Sequence, residues 1–140
     1  MANIRQSILI RTDLNLPKGL SEAQVAHLHF EYLRKIILQN IKKENDAVFN
    51  TSNIALTPDV CEWLKAPYTF VHGVPNVEIL RYFQSDAIQK GIYMNDWKDT
   101  IYLKVSGTQQ IVVEDCLIGI VLFGDSDKVK AVIGDLPLLS

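Results

Sequence analysis

The chain reads as a layered α/β sandwich on three observations. Apolar runs of strand length alternate with stretches whose apolar residues recur at helical spacing, and turn residues mark each change. Its 140 residues suit one domain, and 48% hydrophobic with 21% charged residues is ordinary globular composition. No internal repeat or low-complexity tract interrupts the pattern.

Ser7-Ile8-Leu9-Ile10-Arg11 is a compact apolar run ending in a charge, as expected of an interior strand covered on both faces. The next loop holds Pro17-Lys18-Gly19 and leads to Ser21 with Gln24 three residues on, a capping-box arrangement that predicts a helix start there. Ala26, Phe30, Leu33, Ile37 and Ile41 then recur at helical spacing and predict the buried stripe of a long helix to about Glu44. Residues 45–58 are polar and turn-rich, the longest loop in the chain.

Tyr68-Thr69-Phe70-Val71-His72 has the β-branched and aromatic content of a strand, closed by Gly73-Val74-Pro75-Asn76. A second helix follows with Ile79, Leu80, Phe83 and Ala87 as its stripe, and Gly91 suits the left-handed residue that ends many helices. Ile92-Tyr93-Met94 reads as a further short strand. Residues 101–105 and 110–113 read either as a strand pair or as part of a helical excursion. Residues 117–123 form an apolar run of central-strand type, after which Asp125 or Ser126 caps a short helix holding Val129, Val132 and Ile133.

Net charge is −2, so no strong overall field draws a polyanion. Residues 1–50 carry seven basic and five acidic groups, an imbalance that solvated helix faces account for, so a nucleic-acid role needs a local site. Ile8-Leu9-Ile10 is too short for a signal segment or a membrane span, and a cytoplasmic protein is expected. Cys61 and Cys116 lack paired spacing and read as buried, reduced thiols. No spacing of His, Asp, Glu or Cys suggests a metal, and neither G-x-G-x-x-G nor G-x-S-x-G occurs. No cofactor is expected.

Three short motifs stand in order across the first strand, loop and helix: Ile10-Arg11-Thr12-Asp13-Leu14, Lys18-Gly19 and Ala23-Gln24-Val25-Ala26-His27. They resemble the R-T-D-L, G-K and A-Q-x-A-H pattern of type 2 peptidyl-tRNA hydrolases. The ending Gly134-Asp135-Leu136-Pro137-Leu138-Leu139 also resembles that superfamily, nearer to an uncharacterised domain-of-unknown-function branch than to the hydrolases proper. The resemblance implies a single domain over residues 1–140. It would be a three-layer α/β/α sandwich with a mixed, mostly parallel sheet of about four or five strands, often a homodimer. The implied activity is hydrolysis of the ester joining a peptide to the tRNA 3′ end.

The lysine of the family's G-K motif aligns with Leu20, so its ammonium has to come from Lys18, two residues earlier. The family's second motif, D-A-G-x-T-Q, is matched in spacing by Asp96-Trp97-Lys98-Asp99-Thr100. A rival register places it at Val105-Ser106-Gly107-Thr108-Gln109-Gln110, and both stay open.

Ester hydrolysis needs a base that activates water and donors aimed at the developing oxyanion. In the resemblance's terms Asp96 is the base or orienter, Thr100 its hydroxyl partner, and Lys18 and Gln24 are donors. His27 reads as a pocket acid–base group or as a packed helix histidine, and packing carries more weight. Arg11, Gly19 and Trp97 are the substrate-binding positions, with Trp97 narrowing the site. Bland readings stand beside these: Asp96 caps a turn, Thr100 sits in a strand, Gln24 serves the capping box, and Lys18 is a loop lysine. The expected function is that of an uncharacterised member of this superfamily, with hydrolysis of peptidyl-tRNA or a related ester as the specific enzymatic reading and a small-molecule ester as a further one. The alternative is a non-catalytic ligand-binding or regulatory domain using the same pocket. tRNA, a small ester and a second copy of the chain are the expected partners, and a membrane is not.

Overall fold

The computed structural model describes residues 3–40, 42–43, 49–50, 56–107 and 109–139. The elements run β1 (Ile4–Arg11), α1 (Lys18–Asn40), β2 (Lys42–Lys43), β3 (Phe49–Asn50), α2 (Pro58–Lys65), β4 (Thr69–Val74), α3 (Val77–Gln89), β5 (Tyr93–Ser106), β6 (Gln109–Asp125) and α4 (Ser126–Ile133). Four strands make one mixed sheet in the order β4-β1-β6-β5, and β2 pairs with β3 apart from it. The sheet is mixed, as expected, but parallel pairing is confined to β1 with β4. β6 runs antiparallel to both β1 and β5, because β5 and β6 are the arms of one long hairpin. The strand-pair reading of residues 101–113 is therefore the one that holds. Of the rival motif register, Gly107 sits at the hairpin turn with φ +55°, and Thr108 lies outside the described residues.

Strand alternation divides the core between two layers. Ile4, Ile8, Ile10, Val121 and Phe123 face α1 and α2, whereas Leu9, Val74, Leu117, Ile120 and Leu122 face α3 and α4. Helices on both faces of the sheet complete the three layers. A β-bulge lies opposite the step from Trp97 to Lys98, and it leaves Ile118 and Gly119 together on the α1 side. A Cβ at Gly119 would lie 2.5 Å from the Leu9 carbonyl oxygen and 2.8 Å from Leu28 Cδ1, so only glycine fits beneath α1.

Two helices depart from the expected pattern. α1 begins at Lys18, three residues before Ser21, whose N–H bonds the Pro17 carbonyl in an ordinary helical turn. The expected capping box is therefore absent, and Gln24 is free for other bonds. The buried face of α1 is Gln24, Leu28 and Glu31, while Ala26 and Phe30 of the expected apolar stripe are exposed and Leu33 and Ile37 are half-buried. The sheet beneath offers polar partners: Lys35 Nζ donates to Asn95 Oδ1 at 2.6 Å, and Arg34 forks onto the nearly enclosed Glu31 carboxylate at 2.9 Å. Hydrogen bonding by Arg34 outweighs burial and holds Glu31 below the usual carboxylate range. α2 is a helix that periodicity did not announce, since eight residues are too few to show it. Thr57 caps it by accepting the Val60 N–H at 3.3 Å, with Pro58 in the first turn. Cys116 is buried as expected, but Cys61 is exposed on α2.

α3 starts where expected, with Asn76 Oδ1 accepting the Ile79 N–H at 2.9 Å, and Gly91 at φ +70° follows its end. The loop expected over residues 45–58 lies largely outside the described residues. No helix among the described residues is long and apolar enough to cross a membrane.

The C-terminal segment is tied to β4 through His72. Its Nδ1–H donates to the Leu136 carbonyl at 3.0 Å, which leaves Nε2 to accept from Arg5 Nη2 at 3.0 Å. Burial pushes the His72 pKa below its ordinary value, the Leu136 hydrogen bond opposes that shift, and the Arg5 charge reinforces it. The unfolded chain therefore binds a proton at His72 at a higher pH than the folded one. Stability should fall as pH drops below about 6.5, through the window between the two pKa values. Urea midpoints measured above and below that window should differ less in His72→Gln than in the wild type. An equal drop in both would count against His72 as the acid-sensitive contact.

Candidate functional site

One cluster of polar and aromatic side chains forms where α1 crosses β5. Alternation on β5 points Tyr93, Asn95, Trp97 and Asp99 toward α1, where Tyr32, Lys35 and Gln24 meet them. Gln24, 1% exposed, is the centre. Its Oε1 accepts the Trp97 Nε1–H at 2.5 Å and its Nε2 donates to Asp99 Oδ2 at 2.9 Å. The donor on one side and the carboxylate on the other fix the amide's orientation. Asp99 Oδ1 in turn accepts the Thr100 backbone N–H at 2.8 Å, which leaves the half-buried carboxylate with lone pairs to spare. His27, one helical turn beyond Gln24, stacks on the Trp97 indole at 4.4 Å and an interplanar angle of 15°.

Arg11 closes the neighbouring end of β1. Its guanidinium forks onto Asp13 at 3.0 and 2.8 Å, and Nη1 donates to the Leu117 carbonyl at 3.1 Å. That hydrogen-bonded pair raises the Arg11 pKa and lowers that of Asp13. Arg11 thus pins the β1–α1 loop. Between that loop and the outer half of the β5–β6 hairpin lies a groove of about 540 Å³ lined by Asp13, Leu14, Leu16, Tyr102, Leu103 and Ile111, among others. Leu14, Leu16 and Leu103 belong to the same apolar cluster as Trp97, which links the groove to the polar site.

Of the residues expected from sequence, the fold gathers Gln24, His27 and Trp97. Lys18 lies at the first turn of α1, 91% exposed and 3.9 Å from Glu22, and Gly19 follows it with open space where a Cβ would be. Asp96 does not join them: it lies one residue out of phase with Trp97, on the α3 side of the sheet with Met94, and pairs opposite Ile120. Thr100 is exposed and out of phase in the same way. Asp99 is the carboxylate that meets Gln24. Strand alternation puts Asp99 on the same face as Trp97, since i and i+2 share a face, but nothing local says that this face meets Gln24. The shared face itself was illegible while this stretch was not recognised as one continuous strand. Among the described residues no group of three His, Cys, Asp or Glu side chains could hold a metal ion.

Removing the indole N–H tests this linkage. Trp97→Phe leaves the enclosed Gln24 Oε1 without a donor and should cost about 1–3 kcal/mol of stability by urea unfolding. Trp97→Phe combined with Gln24→Leu should cost less than the sum of the two single changes. Additive losses would mean the two side chains do not act as a unit.

A family model described as "Peptidyl-tRNA hydrolase PTH2" matches residues 4–139. Among solved structures, one of a protein of unknown function, Atu0240 from Agrobacterium tumefaciens str. C58, is similar over 100% of both chains, with a TM-score of 0.55 and 14% identity. At that identity the likeness concerns the fold. No match to a curated protein was found.

Proposed function

The chain belongs to the peptidyl-tRNA hydrolase PTH2 family, and from that premise we propose that it hydrolyses the ester of peptidyl-tRNA or a closely related ester at the Gln24–Asp99 site. The observation that carries this reading is the half-buried Asp99 carboxylate, held by Gln24 at 2.9 Å next to Trp97, whose apolar cluster also lines the groove between the β1–α1 loop and the hairpin. Asp99 takes a proton from a water that attacks the ester carbonyl. The leaving 3′ hydroxyl of tRNA is reprotonated from the same carboxyl. The first turn of α1 carries backbone N–H groups without helical partners, and Lys18 adds an exposed cation there, which suits a phosphate of the tRNA end or the developing oxyanion. His27 and Trp97 present a flat stacked surface beside the reacting carbonyl.

A non-catalytic ligand-binding domain is the second reading, and one observation favours it. Both carboxylate oxygens of Asp99 already accept a hydrogen bond from the chain itself. A homodimer in the cytoplasm belongs to the same proposal, supported by the exposed Phe30 and Leu38 on α1, and sedimentation at several concentrations tests it.

Peptide release from a model peptidyl-tRNA decides between hydrolysis and simple binding. Turnover by the wild type supports the enzyme, and tRNA binding without turnover supports the second reading. tRNA affinity should fall steeply with added salt, because Lys18 and its neighbours act through phosphate contacts. Binding insensitive to salt would argue against a tRNA partner.

A further inference from the structure

The opposite end of β1 holds a cation that this reading does not use. Arg5 is 7% exposed, yet every partner it has is neutral. Its Nε–H donates to Ser7 Oγ at 2.8 Å, Nη2 to His72 Nε2 at 3.0 Å, and the guanidinium lies 4.1 Å from the Phe70 ring centroid. No ion pair among the described residues includes it. Buried charges are ordinarily paired, because desolvation penalises the charged form, and arginine cannot escape by losing its proton. Burial does lower the Arg5 pKa, with no neighbouring carboxylate to offset it.

These bonds leave part of the guanidinium unused. Nη1 has no hydrogen-bond partner among the described residues, and it is not among the fully enclosed unsatisfied atoms. Arg5 lines a cavity of about 160 Å³ together with Tyr68, Phe70, Ser126 and Lys130. Lys130 contributes a second cation, and it too enters no ion pair among the described residues. The N-terminus of α4 adds nothing here, since the Asp125 carboxylate already accepts the Asp127 and Lys128 N–H groups at 3.1 and 3.2 Å.

We propose that this cavity is a binding site for a small oxyanion, a carboxylate or phosphate head on a body no larger than about one aromatic ring. Arg5 Nη1 meets the head, Lys130 neutralises it from the mouth, and Phe70 with Tyr68 flanks the body. Arg5 and Ser7 lie on the α3 and α4 side of β1, so the site is separate from the Gln24–Asp99 cluster on the α1 side.

Amide NMR spectra of the full chain, titrated with benzoate and separately with inorganic phosphate at constant ionic strength, test the proposal. Either probe should shift the Phe70, Ser126 and Lys130 signals saturably, with a Kd below about 1 mM. Benzoate alone would identify an aromatic carboxylate as the ligand class, and phosphate alone a phosphate head. Lys130→Ala, on an exposed helix position, should weaken binding about fivefold. Arg5→Lys, which keeps the charge but loses the Nη1 donor that the Ser7 and His72 bonds hold in place, should abolish it with the fold intact. No saturable shift, the same shift with chloride, or wild-type affinity in both variants would overturn the proposal.

Discussion

Asp99→Asn is expected to lower peptide release from peptidyl-tRNA by about 10²–10⁴-fold, the usual contribution of a positioned general base. An amide is nearly the size of a carboxylate, so packing is kept while basicity is lost. The substitution also disturbs the bonds around it. Trp97 holds Gln24 with its Nε2 toward residue 99, and the Thr100 N–H approaches the other oxygen. An asparagine can accept from only one of those two donors. Two readouts separate chemistry from this local strain. The urea midpoint reports the strain. The split between kcat and KM reports the base, because loss of the base lowers kcat with KM little changed. Asp96→Asn is the matched control. Its carboxylate faces α3, so it should change release by less than about twofold. If Asp96→Asn removed turnover and Asp99→Asn spared it, the base would lie on the other face of the sheet and the proposed site would be wrong.

Gly119→Ala is expected to destabilise the chain by about 2–3 kcal/mol in urea unfolding, at the upper end for an overpacked core. Leu28 is fully enclosed between Ile8 and Val121 and has little room to retreat. The Leu9 carbonyl, 2.5 Å from the new methyl, belongs to the β1–β6 ladder and cannot move without breaking it. Gly73→Ala gives the contrast. There the methyl meets Thr12 Cγ2 at 2.9 Å and Leu139 Cδ1 at 3.4 Å, both side-chain ends near the surface. It should cost about 1 kcal/mol or less. Equal losses at the two positions would mean that backbone approach is not what reserves Gly119.

The comparison of α1 with α3 explains how much was legible in the chain. α3 lies on an apolar surface, so of its expected stripe Leu80 and Ala87 are buried and Phe83 half-buried, with Ile79 left exposed. α1 lies over Trp97, Asp99 and Asn95, so its polar edge turns inward and Phe30 of the apolar stripe is left outside. Periodicity counts hydrophobic residues and is blind to a polar counterpart more than 70 residues away in sequence, as Gln24 is from Trp97 and Asp99. Asp96 was the wrong neighbour for the same reason: it matched a motif's spacing, but β alternation sends it through the sheet.

Local chemistry therefore determined the alternating strands and helices, the caps of α3 and α4, and the short motifs at Arg11, Lys18 and Gln24, since each depends on residues within a few positions of one another. Tertiary structure alone decided which face of α1 is buried, that Asp99 is the carboxylate beside Gln24, and that Arg5 sits buried without a counter-charge. These outcomes depend on strand register and on contacts between residues distant in sequence. Folding creates those contacts, and no local pattern carries them.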